Sequence, residues 1–210
     1  MRWRELVAAW LLGASVASAQ SPAADWRTFE TSHFRVHFPA PFEAWARHVT
    51  SRIESIHARV TDYVGYNPRL PIDVLIEDPA AAANGLAFPF LDRPVIVLWT
   101  SPPESESSVG EFADWPDLVL THEMTHIVHL LRPRSQSRDL LARFSPRPIG
   151  PVLRKSPRWV IEGYATLVEG ALTGAGRPQG SFRAMVMRRF AMEGKLPDYQ
   201  ELNFFSGWIS

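Results

Sequence analysis

The segment 118–131 constrains this chain more than any other, because it sets titratable side chains inside a run of large apolar residues. Leucine, valine, isoleucine and methionine recur along the whole segment, which predicts a mostly buried helix. Asp114 or Trp115 can cap its start, and Pro116 suits the first helical position. We therefore expect the core to be built around an apolar helix that also carries charge.

Two histidines on this helix are spaced to act together. His122 and His126 are four positions apart, so they lie one above the other on the same helix face, with Glu123 beside them. Imidazoles at this spacing hold zinc, and the adjacent carboxylate takes a proton from the water that the ion activates. The alternative is a helix whose histidines only hydrogen-bond within a core. Because buried polar groups need partners, which a metal supplies, the apolar surroundings favour a metal site.

Composition narrows the kind of metal site. The chain has no cysteine, which excludes disulfides, thiolate ligands and a cysteine nucleophile. Histidine and carboxylate ligands suit a catalytic zinc ion better than a structural one. The 210 residues, 46% of them hydrophobic, suffice for one packed domain, and the formal net charge of zero does not indicate nucleic acid as a partner.

The first 19 residues have the pattern of a secretory signal peptide. A basic start precedes a short apolar stretch, and Ala17-Ser18-Ala19 forms a small-x-small cleavage site. An uncleaved anchor is the alternative, although the apolar stretch is too short to span a bilayer. The prediction is an exported protein, periplasmic or extracellular if its source is a bacterium, with no integral membrane segment after cleavage and a domain covering residues 20–210.

The remaining patterns predict an α+β fold with a small mixed or antiparallel sheet. Residues 20–28 read as a flexible lead-in, 33–38 and 70–76 as strands, 42–64 as an amphipathic helix and 79–85 as a loop. Segment 87–100 is extended, and Pro89 and Pro94 within it favour an edge strand. We expect this edge to lie over the zinc cleft, where it can pair with an extended peptide.

A basic, proline-rich segment, 132–158, follows the histidine helix. It is either a solvated connecting loop or a lid or patch that attracts anionic substrate or a membrane surface.

A second helix is predicted over residues 156–170, with Ser156 as its cap, Pro157 at its first position and Gly170 at its end. Glu162 lies in its apolar run and is a candidate third zinc ligand. Glu169, seven positions later on the same face, is placed to orient a zinc-bound histidine. Both acids could instead be surface residues of this helix.

Together the two helices carry a family resemblance. The pattern His-Glu-x-x-His at 122–126, followed by Trp-x-x-Glu-Gly-x-Ala-x-x-x-Glu at 159–169, resembles the gluzincin metallopeptidases, and most of all the bacterial peptidase MA-like domains. Several of those domains precede a TolB-like β-propeller. The similarity covers about residues 30–208. It implies a zincin-like fold, zinc ligands His122, His126 and Glu162, and Glu123 as the catalytic base.

The chain departs from that family in two places. The segment joining His126 to Glu162 is longer than in the family, so it must loop out and return. The sequence also stops where the family continues with further helices. The domain is therefore expected to be incomplete at its C-terminus, and a β-propeller is a candidate for the missing part.

The predicted activity is zinc-dependent hydrolysis of a peptide or protein substrate. Tyr164, Tyr199 and His129 are the candidates for stabilising the oxyanion. Asp92 is the only acid between residues 84 and 100 that could bind a free substrate amine, which favours an endopeptidase. The competing interpretation is a non-catalytic zincin-fold binding module, a fragment of a larger propeller-containing protein.

Overall fold

A five-stranded mixed sheet forms one side of the protein. The computed structural model describes residues 24–89, 93–104, 107, 109, 111–133, 152 and 155–204. The strand order is β1-β2-β3-β5-β4; β2, β3 and β5 are parallel, and the two outer strands are antiparallel to their neighbours. The strands are β1 (Trp26–Glu30), β2 (Phe34–Pro39), β3 (Ile72–Glu77), β4 (Gly85–Phe88) and β5 (Val95–Trp99).

Alternation on β2 and β3 anchors the sheet to the core. Phe34, Val36 and Phe38 are buried on one face of β2, as the sequence predicts. Helix α1 (Glu43–Val64) packs against β2 with the buried stripe Ala46, Val49, Ile53, Ile56, His57, Val60 and Val64. It ends at Gly65, whose left-handed φ of 74° lets its N–H bond to the Thr61 carbonyl.

Two predictions about the sheet are wrong. The expected lead-in over 20–28 contains the start of β1, which pairs antiparallel with β2. Its side chains are mostly exposed, so no buried alternation marks it in the sequence. The extended segment 87–100 is not one edge strand either. Val95–Trp99 is an inner strand between β3 and β4, and the edge is the shorter β4, with Pro89 and Pro94 outside both strands.

Four more helices complete the described chain: α2 (Trp115–Leu131), α3 (Arg158–Thr173), α4 (Ser181–Met192) and α5 (Tyr199–Phe204). Asp114 caps α2 by accepting a hydrogen bond from the Asp117 N–H at 3.0 Å. Helix α2 is almost wholly buried, since it packs against α1, α3, β4 and β5. None of the described helices combines the length and apolar character needed to cross a membrane.

The limits predicted for α3 need correction. Pro157, not Ser156, is the N-cap residue, and no side chain caps the helix start. The helix also continues past Gly170 to Thr173, because the left-handed residue that ends it is Gly174, with φ 68°. Gly170 serves close packing instead, since a Cβ there would lie 2.7 Å from Pro178 Cγ.

The signal peptide predicted for residues 1–19, most of the basic segment 132–158 and the end of the chain after residue 204 lie outside the described residues.

Candidate metal centre

Three of the predicted ligand side chains meet where α2 packs on α3. His122 Nε2 and His126 Nε2 are 3.2 Å apart. Glu162 Oε2 lies 3.6 Å from His122 Nε2 and 3.4 Å from His126 Nε2. The two imidazoles come from successive turns of α2 and the carboxylate comes from the second turn of α3. This His/Glu group can bind a metal ion, so the structure supports the coarse prediction of a metal site.

The group is buried on one side and open on the other. His122 and His126 are buried, whereas 41% of the Glu162 side chain remains exposed. They line a cavity of about 450 Å³ whose walls come from α2, α3 and β4. An ion held here would therefore keep a side free for water and substrate.

Glu169 contacts the His122 ring at Nδ1, the nitrogen that does not face His126 and Glu162. Its carboxylate is fully buried, with Oε2 2.7 Å from His122 Nδ1. Arg177 donates to it twice, from its backbone N–H at 3.1 Å and from its guanidinium at 3.2 Å. The bond at Nδ1 orients the His122 ring so that Nε2 points toward His126 and Glu162. The Glu169 carboxylate thus contacts one of the two predicted histidine ligands, and its role in orienting a zinc-bound histidine stays a prediction.

Gly176 lies against the Glu169 carboxylate, and the sequence assigned it no role. Its φ is 79°, a conformation that favours glycine, and a Cβ there would collide with Glu169 Oε1. Its N–H bonds to the Glu111 carbonyl at 2.8 Å.

Glu123 lies beside the ligands and under the edge strand. It is buried and faces the cavity. Gly85 of β4 lies directly against it: a Cβ at Gly85 would be 2.7 Å from both Glu123 Oε1 and Val119 Cγ2. The absence of a side chain at Gly85 is therefore what lets β4 approach this carboxylate.

Hydrogen bonds and burial shift the pKa values of these groups in different directions. Burial alone would lower the pKa of His122, but hydrogen bonds with Glu162 and Glu169 outweigh it and raise this pKa to about 9. The proximity of the two imidazoles to Glu162 holds the pKa of this carboxyl group well below its ordinary value. Burial raises the pKa of Glu123 despite the neighbouring histidines. The pKa values of the two carboxyl groups in this site are therefore shifted in opposite directions. This suits Glu162 as an anionic ligand and Glu123 as a proton acceptor.

The three oxyanion candidates lie away from the cavity wall. The His129 ring packs against Tyr164 with 4.1 Å between ring centroids, and Tyr199 is 60% exposed beside Trp159. None of the three is among the described residues that line the cavity. The identity of the oxyanion donor stays a prediction.

No known protein-family model matches this chain, and no curated protein matches its sequence. The geometry of the metal centre is therefore the basis for inferring what this chain does.

Proposed function

We propose that this chain is a zinc-dependent peptidase of the gluzincin type. The observation that carries the proposal is the convergence of His122, His126 and Glu162. A tetrahedral zinc ion with bonds of 2.0–2.2 Å separates its ligand atoms by about 3.3–3.6 Å. The observed separations of 3.2, 3.4 and 3.6 Å fit that requirement closely. Two imidazoles and one carboxylate, with one open side, are also the ligand set of a catalytic zinc site.

Zinc, when bound, supplies an acidic water and polarises the substrate carbonyl. Each residue then has a separate task. Glu123 accepts the proton of the attacking water and returns it to the leaving amine. Glu162 contributes its negative charge, while Glu169 keeps His122 in the tautomer that presents Nε2 to the ion.

The edge strand supports peptide as the substrate class. Within the described chain β4 pairs with β5 on one side only, so its other edge has backbone groups free to pair with an extended peptide. Gly85, Leu86 and Ala87 of this strand also line the cavity. A peptide paired along β4 would therefore pass over Glu123 and the ligand group.

The walls of the cavity favour an endopeptidase. Among the described residues that line it, the carboxylates are Glu123, Glu162 and Glu169, and each already has a role at the metal. No further acid is placed there to bind a free substrate amine. Asp92, the acid singled out in the sequence, lies outside the described residues. Export and a C-terminal β-propeller also stay predictions.

Exchange of Glu123 for Gln tests the proposal. Because Gln cannot accept the proton, hydrolysis of an unstructured protein such as casein should fall by roughly 100- to 10,000-fold. The zinc content should stay at the wild-type value, because Glu123 is not a ligand. Glu30→Gln, at an exposed position on β1, is the matched control and should keep full activity.

Two results would separate the proposal from its competitor. Wild-type cleavage blocked by a chelator and restored by zinc supports the peptidase. A wild-type protein that binds zinc and cleaves nothing would favour the non-catalytic binding module. Full activity in Glu123→Gln would remove Glu123 as the base.

A further inference from the structure

A second group of metal-ligating side chains lies where the turn between β1 and β2 meets α1. His33 directly precedes β2, and Glu54 and His57 are three positions apart on α1, so they share one helix face. Each offers one ligand atom, and these atoms lie within 4.8 Å of one another. None of the three residues lines the cavity beside α3. From the sequence, none of these three residues was singled out as a metal ligand.

Hydrogen bonds with neighbouring residues already orient two of these three side chains, Glu54 and His57. Glu54 Oε1 accepts hydrogen bonds from Thr31 Oγ1 at 2.6 Å and from the His33 backbone N–H at 2.9 Å. Its second oxygen, Oε2, faces the His33 ring, 2.8 Å from Nδ1. The Asn67 side chain hydrogen-bonds to the His57 ring. Partners of this kind orient the ligands of metal sites, as Glu169 does for His122.

The group is accessible to solvent, and the negative charge of Glu54 is not paired with a lysine or arginine of the described chain. The His33 side chain is 46% exposed, while His57 is buried beneath it with 4.7 Å between the ring centroids. In the described part of the chain no lysine or arginine pairs with Glu54. A third candidate group, His48, Asp114 and Asp117, differs because Arg52 pairs with Asp117 and Asp114 caps α2. Apart from the centre beside α3, the group at His33 is thus the one candidate among the described residues that combines open access with a carboxylate free of a permanent cation.

We propose that His33, Glu54 and His57 form a second site, which binds a divalent transition metal such as zinc. Two imidazoles and one carboxylate are ligands that zinc and its neighbours accept, with water completing the coordination. The His33 ring must turn away from Glu54 by a small amount, since 2.8 Å is shorter than the ligand spacing around zinc. The bound ion clamps the β1–β2 turn onto α1. This proposal does not depend on the peptidase activity.

Metal stoichiometry of the full chain tests the second site. The protein is stripped with a chelator, titrated with zinc by calorimetry, and its bound zinc is measured by mass spectrometry. The wild type should bind two equivalents and His33→Ala one. The matched control is His37→Ala, another partly exposed histidine on β2, which should bind two. Proteolytic activity should be the same in all three proteins.

A second variant guards against misfolding. His57→Gln keeps a polar side chain at the buried position and should also lose one equivalent, with an unchanged circular dichroism spectrum. The zinc-induced rise in melting temperature should be smaller in both cluster variants, because a ligand that binds only the folded state stabilises it.

The outcomes separate this proposal from the peptidase. Two equivalents in His33→Ala, or a second equivalent lost in His48→Ala instead, would overturn the second site. A wild type with one equivalent that disappears in His126→Ala would also overturn it and leave the peptidase intact. If His33→Ala removes an equivalent and His126→Ala removes none, the second site stands and the proposed peptidase centre fails.

Discussion

Adding one methyl group at Gly85 should displace the proposed catalytic base. In Gly85→Ala the new Cβ would be 2.7 Å from Glu123 Oε1 and Val119 Cγ2 and 2.8 Å from Glu123 Cγ. To reach the ordinary contact distance of 3.4 Å, the carboxylate or the strand must move by about 0.7 Å. Gly85 does not have a positive φ, so the effect is purely one of space.

The size of the effect follows from that displacement. Overpacking of this kind costs about 1–3 kcal/mol, and an edge strand such as β4 can yield outward and keep the cost near the lower end. A misplacement of about 1 Å at a catalytic group can cost about 100-fold in rate. We expect kcat/KM to fall by about 10- to 100-fold, and Tm to fall by about 2–4 °C for each kcal/mol lost. Zinc content should not change, because Gly85 does not contact the ligands.

Casein cleavage, calorimetry and zinc analysis on the same preparations provide the assay. Gly163→Ala is the matched control, since outside its chain neighbours and its own helix backbone no heavy atom of the described residues lies within 4 Å of a Cβ at that position in α3. It should keep wild-type activity and gain up to about 1 kcal/mol of stability. Wild-type kcat/KM and Tm in Gly85→Ala would refute the close approach of β4 to Glu123.

Three further predictions concern the charged groups. Glu169→Gln should weaken zinc binding by about 10- to 100-fold in competition with a chelator, because His122 loses the carboxylate that orients it. Without metal the pKa of His122 is raised to about 9, so zinc must displace its proton. Titration calorimetry at pH 7 in buffers of different ionisation enthalpy should then show about one proton released, and affinity should fall as the pH falls. Burial would raise the pKa of Asp73, but hydrogen bonds from Arg35 at 2.7 and 2.9 Å outweigh it and lower this pKa. The pair therefore stabilises the fold above the unfolded pKa of about 3.9 and loses that contribution as the pH falls through the lower folded pKa. Asp73→Asn should reduce the free energy of unfolding by about 1 kcal/mol at pH 7, and the reduction should become smaller as the pH falls below the unfolded pKa, as measured by urea denaturation.

Local periodicity made much of the fold predictable. The stripe along α1, the alternation on β2 and the cap at Asp114 all depend on neighbours within one or two turns or on strand pleating. The one-turn spacing of His122 and His126 belongs to the same class. These features survive in the structure because helix and strand geometry place such residues regardless of the rest of the chain.

Exposure and close packing leave weaker marks in a sequence. Strand β1 was missed because its exposed side chains lack a buried face, and β4 was merged with β5 into one extended segment because its four residues show no alternation of their own. The sequence predicted segment 87–100 as the edge strand, whereas β4 is at the edge and β5 is an inner strand. Which strand is at the edge depends on which backbones pair. Pairing joins distant segments, and no local pattern encodes it.

The sequence by itself determined which residues could hold a metal: the absence of cysteine left histidine and carboxylate, and helical spacing put two imidazoles on one face. Only the tertiary structure decided that Glu162 comes within 3.6 Å of both imidazoles, that Glu169 supports His122, and that Gly85 and Gly176 leave room for two carboxylates. The tertiary structure also places the His33 ring against the His57 ring, although the two residues are distant in the sequence. The physical reason is the range of the interactions: hydrogen-bonded turns and strand pleating act between near neighbours, whereas a ligand group assembled from two helices depends on how their apolar faces pack.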